Sequence, residues 1–235
     1  PGAIVNNKWK NSQRQWDRSF FTQGVFQKSI TPKYDLLVNA KYAYDHMQYL
    51  NPDTTLMLID NTFDQREAYI SAANKYSITR KWDAVLSADF QYNTLRSDLD
   101  GFVFPKRLTT LIALATAADL GKVKVQGSIL ATLVRERINS GNTAADDEAK
   151  AAPDKSEFTP AFFVSYKPFK NHNFNIRAFY KNIFRMPTFN DLYYTDIGNI
   201  KLKPEFTHQY NLGFQYNKAY KNSIVKNWEI QADAY

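Results

Sequence analysis

The residues best placed to meet a ligand lie between positions 184 and 205. Phe184-Arg185-Met186-Pro187-Thr188-Phe189-Asn190-Asp191-Leu192-Tyr193-Tyr194 is followed by Gly198-Asn199 and Leu202-Lys203-Pro204-Glu205. Arg185, Tyr193 and Tyr194 could contact a docked molecule, the aromatic rings offering flat contact area at low entropy cost. The plainer reading of the same stretch is punctuation. Pro187 and Pro204 cannot donate to a strand ladder and bias their predecessors toward extended geometry, so they end one strand, fold a loop and start the next. Other chemistry is poorly represented. His46, His172 and His208 are far apart and fall on different expected strands or turns, which argues against a metal or haem site built from them. Asp146-Asp147-Glu148 could attract calcium, but no Gly-centred carboxylate loop surrounds them. No Gly-x-Ser-x-Gly elbow occurs, so neither an enzyme nor a resident cofactor is expected.

The elements that would hold these residues are strands. From Trp82, one set reads Trp82, Ala84, Leu86, Ala88, Phe90, Tyr92 and the interleaved set reads Asp83, Val85, Ser87, Asp89, Gln91, Asn93. Successive strand side chains point to opposite faces, so one face is oily and the other wet. His208, Tyr210, Leu212, Phe214 and Tyr216 alternate in the same way with Gln209, Asn211, Gly213, Gln215 and Asn217. The period predicts roughly ten strands, at 18–29, 35–48, 67–77, 82–95, 107–117, 122–136, 158–167, 172–184, 206–217 and 226–235. Most exceed the usual soluble strand and reach the roughly 9–11 residues that a tilted strand needs to cross a bilayer.

Connections alternate too. Residues 30–34, 78–81, 119–122 and 168–171 form tight turns, whereas 49–66, 96–106, 137–157 and 185–205 are long loops. Short periplasmic turns and long extracellular loops are the arrangement of outer-membrane barrels, which makes the first strand run down and the tenth up. The loop 137–157, rich in small and charged residues, is expected to be mobile. Two aromatic girdles support the assignment. Tyr34, Tyr76, Trp82, Tyr166, Phe174, Tyr216 and Trp228 lie beside the turns, and Phe20, Tyr69, Phe90, Tyr92, Phe158 and Tyr180 lie toward the loops.

Composition sets limits on the class. The 235 residues contain no cysteine, which removes disulfide scaffolds and thiolate metal sites. The net charge of +7 raises the question of nucleic acid. The cations are scattered, however, and Lys218, Lys221 and Lys226, or Arg135 and Arg137, fall at turns or loops. They suit a solvated surface or anionic lipid headgroups, and no nucleic-acid partner is expected. A soluble β-sandwich or propeller binding module would show the same alternation. A passive porin lined by Asp83, Asp89, Lys41, Lys124, Arg177 and Glu229 would share the membrane architecture. Ten hairpin-linked strands leave two edges that a membrane forbids, so the expectation is a partial β-barrel domain over 1–235, cut from something longer.

The stretch 184–205, continued by Gln209-Tyr210-Asn211-Leu212-Gly213, closely resembles the loop-to-strand signature of TonB-dependent receptors, above all the vitamin B12 and siderophore branch. In that signature an Arg-x-Pro near a strand end precedes Leu-Tyr, Gly-Asn and Leu-Lys-Pro-Glu. Here these are Phe184, Arg185 and Pro187, then Leu192 and Tyr193, Gly198 and Asn199, and Leu202, Pro204 and Glu205. One departure is Ile200, where the family often carries Pro. The resemblance covers about thirty residues. It implies an all-β, antiparallel up-and-down transmembrane β-barrel of about 22 strands, of which this chain supplies about ten, closed by an N-terminal plug. It also implies an outer-membrane setting in Gram-negative cells and active import of a small nutrient chelate, of the cobalamin or ferric siderophore class, with haem and glycans left open. The expected partners are that chelate, outer-membrane lipid, and the TonB complex acting through an N-terminal part not seen in this chain.

Overall fold

The computed structural model describes residues 13–52, 59–139, 151–170, 172–193, 198–220 and 224–235. Among them the chain forms β1 (Arg14–Thr31), β2 (Tyr34–Asn51), β3 (Ile59–Thr79), β4 (Trp82–Ser97), β5 (Lys106–Asp119), β6 (Val123–Arg137), β7 (Lys155–Tyr166), β8 (Asn173–Arg185), β9 (Glu205–Ala219) and β10 (Asn227–Ala234). A helical segment, α1 (Phe189–Tyr193), sits between β8 and β9. Every strand pairs antiparallel with its neighbours in chain order, giving one 10-stranded sheet from β1 to β10.

Register sorts the side chains into two faces. Ala88 stands opposite Ala72 on one side and Ile112 on the other; Leu86 stands opposite Asn74 and Leu114. Followed across the sheet, this face carries Val38, Ile70, Ile129, Phe162, Leu212 and Ile230. Ile70, Leu86 and Leu114 are each more than half exposed. A soluble sandwich would cover such a face with a second layer, and a soluble monomer rarely leaves so continuous an apolar surface bare. From Trp82 to Tyr92 the face is free of charge. Ten steps at about 3.3 Å, tilted by roughly 40°, give about 25 Å, the height of the apolar band of a membrane barrel.

The opposite face is held by polar cross-strand pairs. Lys41 Nζ meets Glu67 at 3.0 Å, and Gln91 donates to the other oxygen of Glu67 at 2.7 Å. Asn39 donates to Ser71 at 3.2 Å, and Arg177 forks onto Asp233 at 2.7 and 2.9 Å. This face is not uniformly polar, since Ala113, Ala115 and Phe163 share its register over β5 to β7. Tyr69 belongs here as well. It was expected in the loop-side aromatic girdle, yet its register opposes Lys41 and Gln91 and its hydroxyl donates to Asp89 at 3.1 Å. An odd-numbered residue in β3 shares the face of Glu67 and Ser71, and proximity to the loops does not override that parity.

Strand ends differ most where the bilayer no longer dictates the pattern. β3 begins at Ile59, well before the expected 67, and β2 runs to Asn51. In that extension Tyr44 donates to Asp64 at 2.5 Å, His46 lies 2.9 Å from Asp64, and Gln48 donates to Asp60 at 2.8 Å. Both faces meet water there, so hydrophobic alternation stops while backbone pairing continues. β7 likewise starts at Lys155, inside the expected 137–157 loop. Residues 140–150 of that loop, with Asp146, Asp147 and Glu148, lie outside the described residues. Its described flanks pack firmly, Ile138 and Ala152 being buried.

The first two turns are copies of one another. Ser29-Ile30-Thr31-Pro32-Lys33-Tyr34-Asp35 and Ser77-Ile78-Thr79-Arg80-Lys81-Trp82-Asp83 share Ser, Ile, Thr, Lys, an aromatic and Asp at matching places. In each the serine hydroxyl donates to the aspartate, at 2.5 and 2.7 Å, and the lysine N–H donates to the threonine hydroxyl, at 3.3 and 3.2 Å. The third turn reaches a similar end by another route: Gly121 takes φ +84° and its N–H donates to Asp119 at 2.9 Å.

Candidate functional site

The loop between β8 and β9 is built around α1. Thr188 is its N-cap: Asp191 accepts from the Thr188 N–H and hydroxyl, both at 2.8 Å, and the Asp191 N–H donates to the Thr188 hydroxyl at 3.3 Å. This is the reciprocal capping arrangement that lets five residues hold a helical turn. Those donors hold the Asp191 carboxyl below the usual carboxylate range, the Thr188 hydroxyl contributing most. Asn199 ties the return path, its N–H donating to the Asp191 carbonyl at 2.9 Å and its side-chain oxygen accepting from the Lys201 N–H at 2.9 Å. The Leu202 N–H in turn donates to the Asn199 carbonyl at 3.0 Å, and Glu205 opens β9.

Beneath α1 lies a buried polar group on the lumen-facing register. Arg107 and Glu136 are direct cross-strand neighbours and form an ion pair, with the Glu136 side chain fully buried. Arg107 also donates to the Pro187 carbonyl at 2.8 Å and sets its guanidinium 4.8 Å from the centre of the Phe189 ring. Tyr193 completes the group: its hydroxyl lies 3.4 Å from Glu136 and accepts from the Ala152 N–H at 3.0 Å. Burial pushes the Tyr193 phenol up to about 12, with the nearby Glu136 carboxylate adding to the effect. The phenol therefore stays protonated and can donate. Around it, Leu95, Phe102, Ile138, Ala152, Phe189 and Leu192 form a small core in which three loops meet. Ile200, the departure from the family pattern, packs against this core. An aliphatic side chain buries surface there where Pro would stiffen the turn.

Arg185 ends β8, opposite Glu205 at the start of β9, with a 3.3 Å ion pair whose two side chains are 65% and 70% exposed. It shares a cleft with Pro187, Asp191, Lys203 and Glu205. A second polar cleft, between the wall and α1, is lined by Gln65, Glu67, Gln91, Asn93, Arg107 and Asn190. Tyr193 does not face either opening, being 5% exposed. Tyr194 lies outside the described residues. Phe184 points to the lipid-facing side and packs on Phe206 at 5.4 Å, while Leu192 is buried and Leu202 exposed. The three histidines stay apart: His46 meets Asp64, His172 packs on Phe169, and His208 stacks on Tyr180. Among the described residues no group of three His, Asp or Glu side chains could hold a metal. Sequence reasoning missed Arg107 and Glu136, which carry no local signal. It also missed Asp191, although Thr188-x-x-Asp191 is a readable capping pattern.

The sequence matches the family described as TonB dependent receptor-like, beta-barrel, over residues 2–235. The chain belongs to the TonB-dependent receptor β-barrel family. The family places its barrels in the outer membrane of Gram-negative bacteria, in keeping with the bare apolar face. Solved structures similar in fold include the copper transporter OprC, with 17% identity and TM-score 0.65 over 86% of this chain and 36% of that one. The FrpB iron transporter of Neisseria meningitidis follows, with 10% identity and TM-score 0.65 over 85% of this chain and 35% of that one. BauA, the ferric preacinetobactin receptor of Acinetobacter baumannii, shows 14% identity and TM-score 0.59 over 87% and 35%. The chain thus spans about a third of the length of these receptors. No curated protein sequence matches it.

Proposed function

We propose that this TonB-dependent barrel segment serves a receptor that captures a scarce nutrient chelate at its loop end and imports it with energy delivered by TonB. The observation that carries the reading is the first part of the 184–205 loop, residues 187–193, set against the lumen-facing register and fastened there through Arg107, Glu136 and Tyr193. Placed there, α1 narrows the barrel mouth, and Arg185 stands exposed on the rim, paired with the solvated Glu205. The family match over residues 2–235 favours this reading over a passive porin. The cargo class favoured is a cobalamin or a ferric siderophore. The copper, iron and ferric preacinetobactin proteins that share the fold lend weight to a metal-bearing cargo.

In this mechanism the loops bind the chelate, TonB rearranges a plug supplied by the rest of the receptor, and the cargo passes along the face bearing Lys41, Asp89 and Arg177. Arg185 contacts the ligand. Tyr193 is a positioning residue, acting by fixing α1, and Tyr194 follows it in the same loop. The test is uptake of labelled cobalamin and of ferric siderophores by cells carrying the full-length receptor. Saturable uptake that vanishes without TonB supports the reading, whereas non-saturable entry that persists without TonB returns the porin. Alanine at Arg185, Tyr193 and Tyr194 should weaken uptake at unchanged surface abundance, and unchanged uptake in all three variants would reduce the loop to architecture.

A further inference from the structure

The turn end of the sheet carries a repeated cation. The backbone carbonyls of Lys33, Lys81 and Lys122 each accept a hydrogen bond at 2.8 Å from the neighbouring hairpin, donated by Ser77, Asp119 and Lys167 respectively. The same stitch thus sets one lysine in each of the first three hairpins along the rim. Two strands separate successive hairpins, so these lysines recur roughly every 10 Å. Arg80, Lys167 and Lys170 lie in the same turns, and Lys218 and Lys226 flank the last one. All are exposed, and none forms an ion pair among the described residues, although Lys122 Nζ donates to the Pro168 carbonyl at 3.1 Å and Lys218 lies 4.9 Å from the centre of the Tyr220 ring.

Acids at this end form their ion pairs and hydrogen bonds with other groups, although Asp119 also lies within the field of Lys81. Asp35, Asp83, Asp119 and Glu229 occupy the lumen-facing register and are engaged there by Ser29 at 2.5 Å, Lys75 at 3.2 Å, Lys124 at 3.0 Å and Gln215 at 2.5 Å. The loop end is mixed in sign, with ion pairs Arg107–Glu136, Arg137–Asp154 and Arg185–Glu205. Beside the turn lysines, on the lipid-facing register, stand Tyr34, Tyr76, Trp82, Tyr166, Tyr216 and Trp228. Aromatics of this kind seat at the headgroup level of a bilayer.

We infer that this rim is a binding surface for the anionic phospholipid headgroups of the periplasmic leaflet, which the row of turn cations without carboxylate partners holds along this stretch of the barrel wall. The inference rests on the outer-membrane placement and not on the import reading. A soluble partner could touch the turn tips, but only a bilayer puts its charge in the same ring as the aromatic collar. Full-length receptor in phosphatidylcholine vesicles would be probed with spin-labelled phosphatidylglycerol and spin-labelled phosphatidylcholine. The wild type should prefer the anionic label about five-fold at low salt, and lose that preference at about 1 M salt. A Lys33→Gln, Lys81→Gln, Lys122→Gln variant should lose most of it, and the same three changes to Arg should keep it. Heat-shifted mobility in gels would show that each variant is a folded barrel. No preference in the wild type, or full preference in the glutamine variant, overturns the inference. So does a glutamine variant that keeps its lipid preference but loses a periplasmic protein partner. TonB-independent uptake would sink the import reading and leave this result standing.

Discussion

Arg185 and Glu136 are both ion-paired, and exposure makes them behave differently. The Arg185–Glu205 pair is solvated on both sides, so Arg185→Ala should change stability by less than about 1 kcal/mol. A loss of ligand binding in that variant would then report contact and not unfolding, as paired equilibrium-binding and melting measurements can show. Glu136 is buried against Arg107. Glu136→Ala strands a guanidinium away from water and should cost about 3–5 kcal/mol of local stability. The expected readout is hydrogen exchange, with amides of 189–193 losing protection; unchanged protection would mean the ion pair does not hold the loop. Tyr193→Phe leaves the Ala152 N–H without its acceptor, at about 1–3 kcal/mol. The exposed position of Arg185 was legible from its place at a strand end. The burial of Tyr193 was not, because its partners Glu136 and Ala152 are distant in sequence and meet it only through the fold.

At the scale of the element, α1 depends on its cap. Thr188→Ala should cost about 0.5–2 kcal/mol of the helical turn. Asp191 adds a pH dependence whose sign follows from its lowered pKa. A carboxyl held below its unfolded value stabilises the turn at pH above the ordinary carboxylate range and loses that contribution as pH falls through the folded value. Protection of the α1 amides should therefore fall in acid for the wild type and depend less on acid in Thr188→Ala; equal acid sensitivity in both would remove the cap from the account. Strands were read well wherever lipid lies on one face, because period-2 hydrophobicity then survives in the sequence. It fails in the β2–β3 extension, where Asp60 and Asp64 pair across strands in water. The repeated Ser-Ile-Thr-x-Lys-aromatic-Asp turn was there to be read, since its hydrogen bonds are local and its spacing is constant.

At the scale of the whole molecule, the sheet is one layer with an apolar face and a mostly polar one, and the bilayer is the missing second layer. Ala88 has Ala72 and Ile112 beside it on the apolar face, whereas Ser87 has Ala73 and Ala113 beside it on the other. Ala88→Arg near mid-bilayer should cost about 2–4 kcal/mol of barrel stability and Ser87→Arg much less, measured by unfolding from lipid vesicles in denaturant. The most direct test uses the absence of cysteine from the chain. Single cysteines would be placed in turn at positions 83 to 92 of the full-length receptor in vesicles, and each labelled with a fluorophore. Quenching by brominated acyl chains should be strong at 84, 86, 88 and 90 and weak at 83, 85, 87 and 89. Quenching that does not alternate, or that is strong on the Asp83 and Asp89 face, would contradict the placement of this sheet in the membrane.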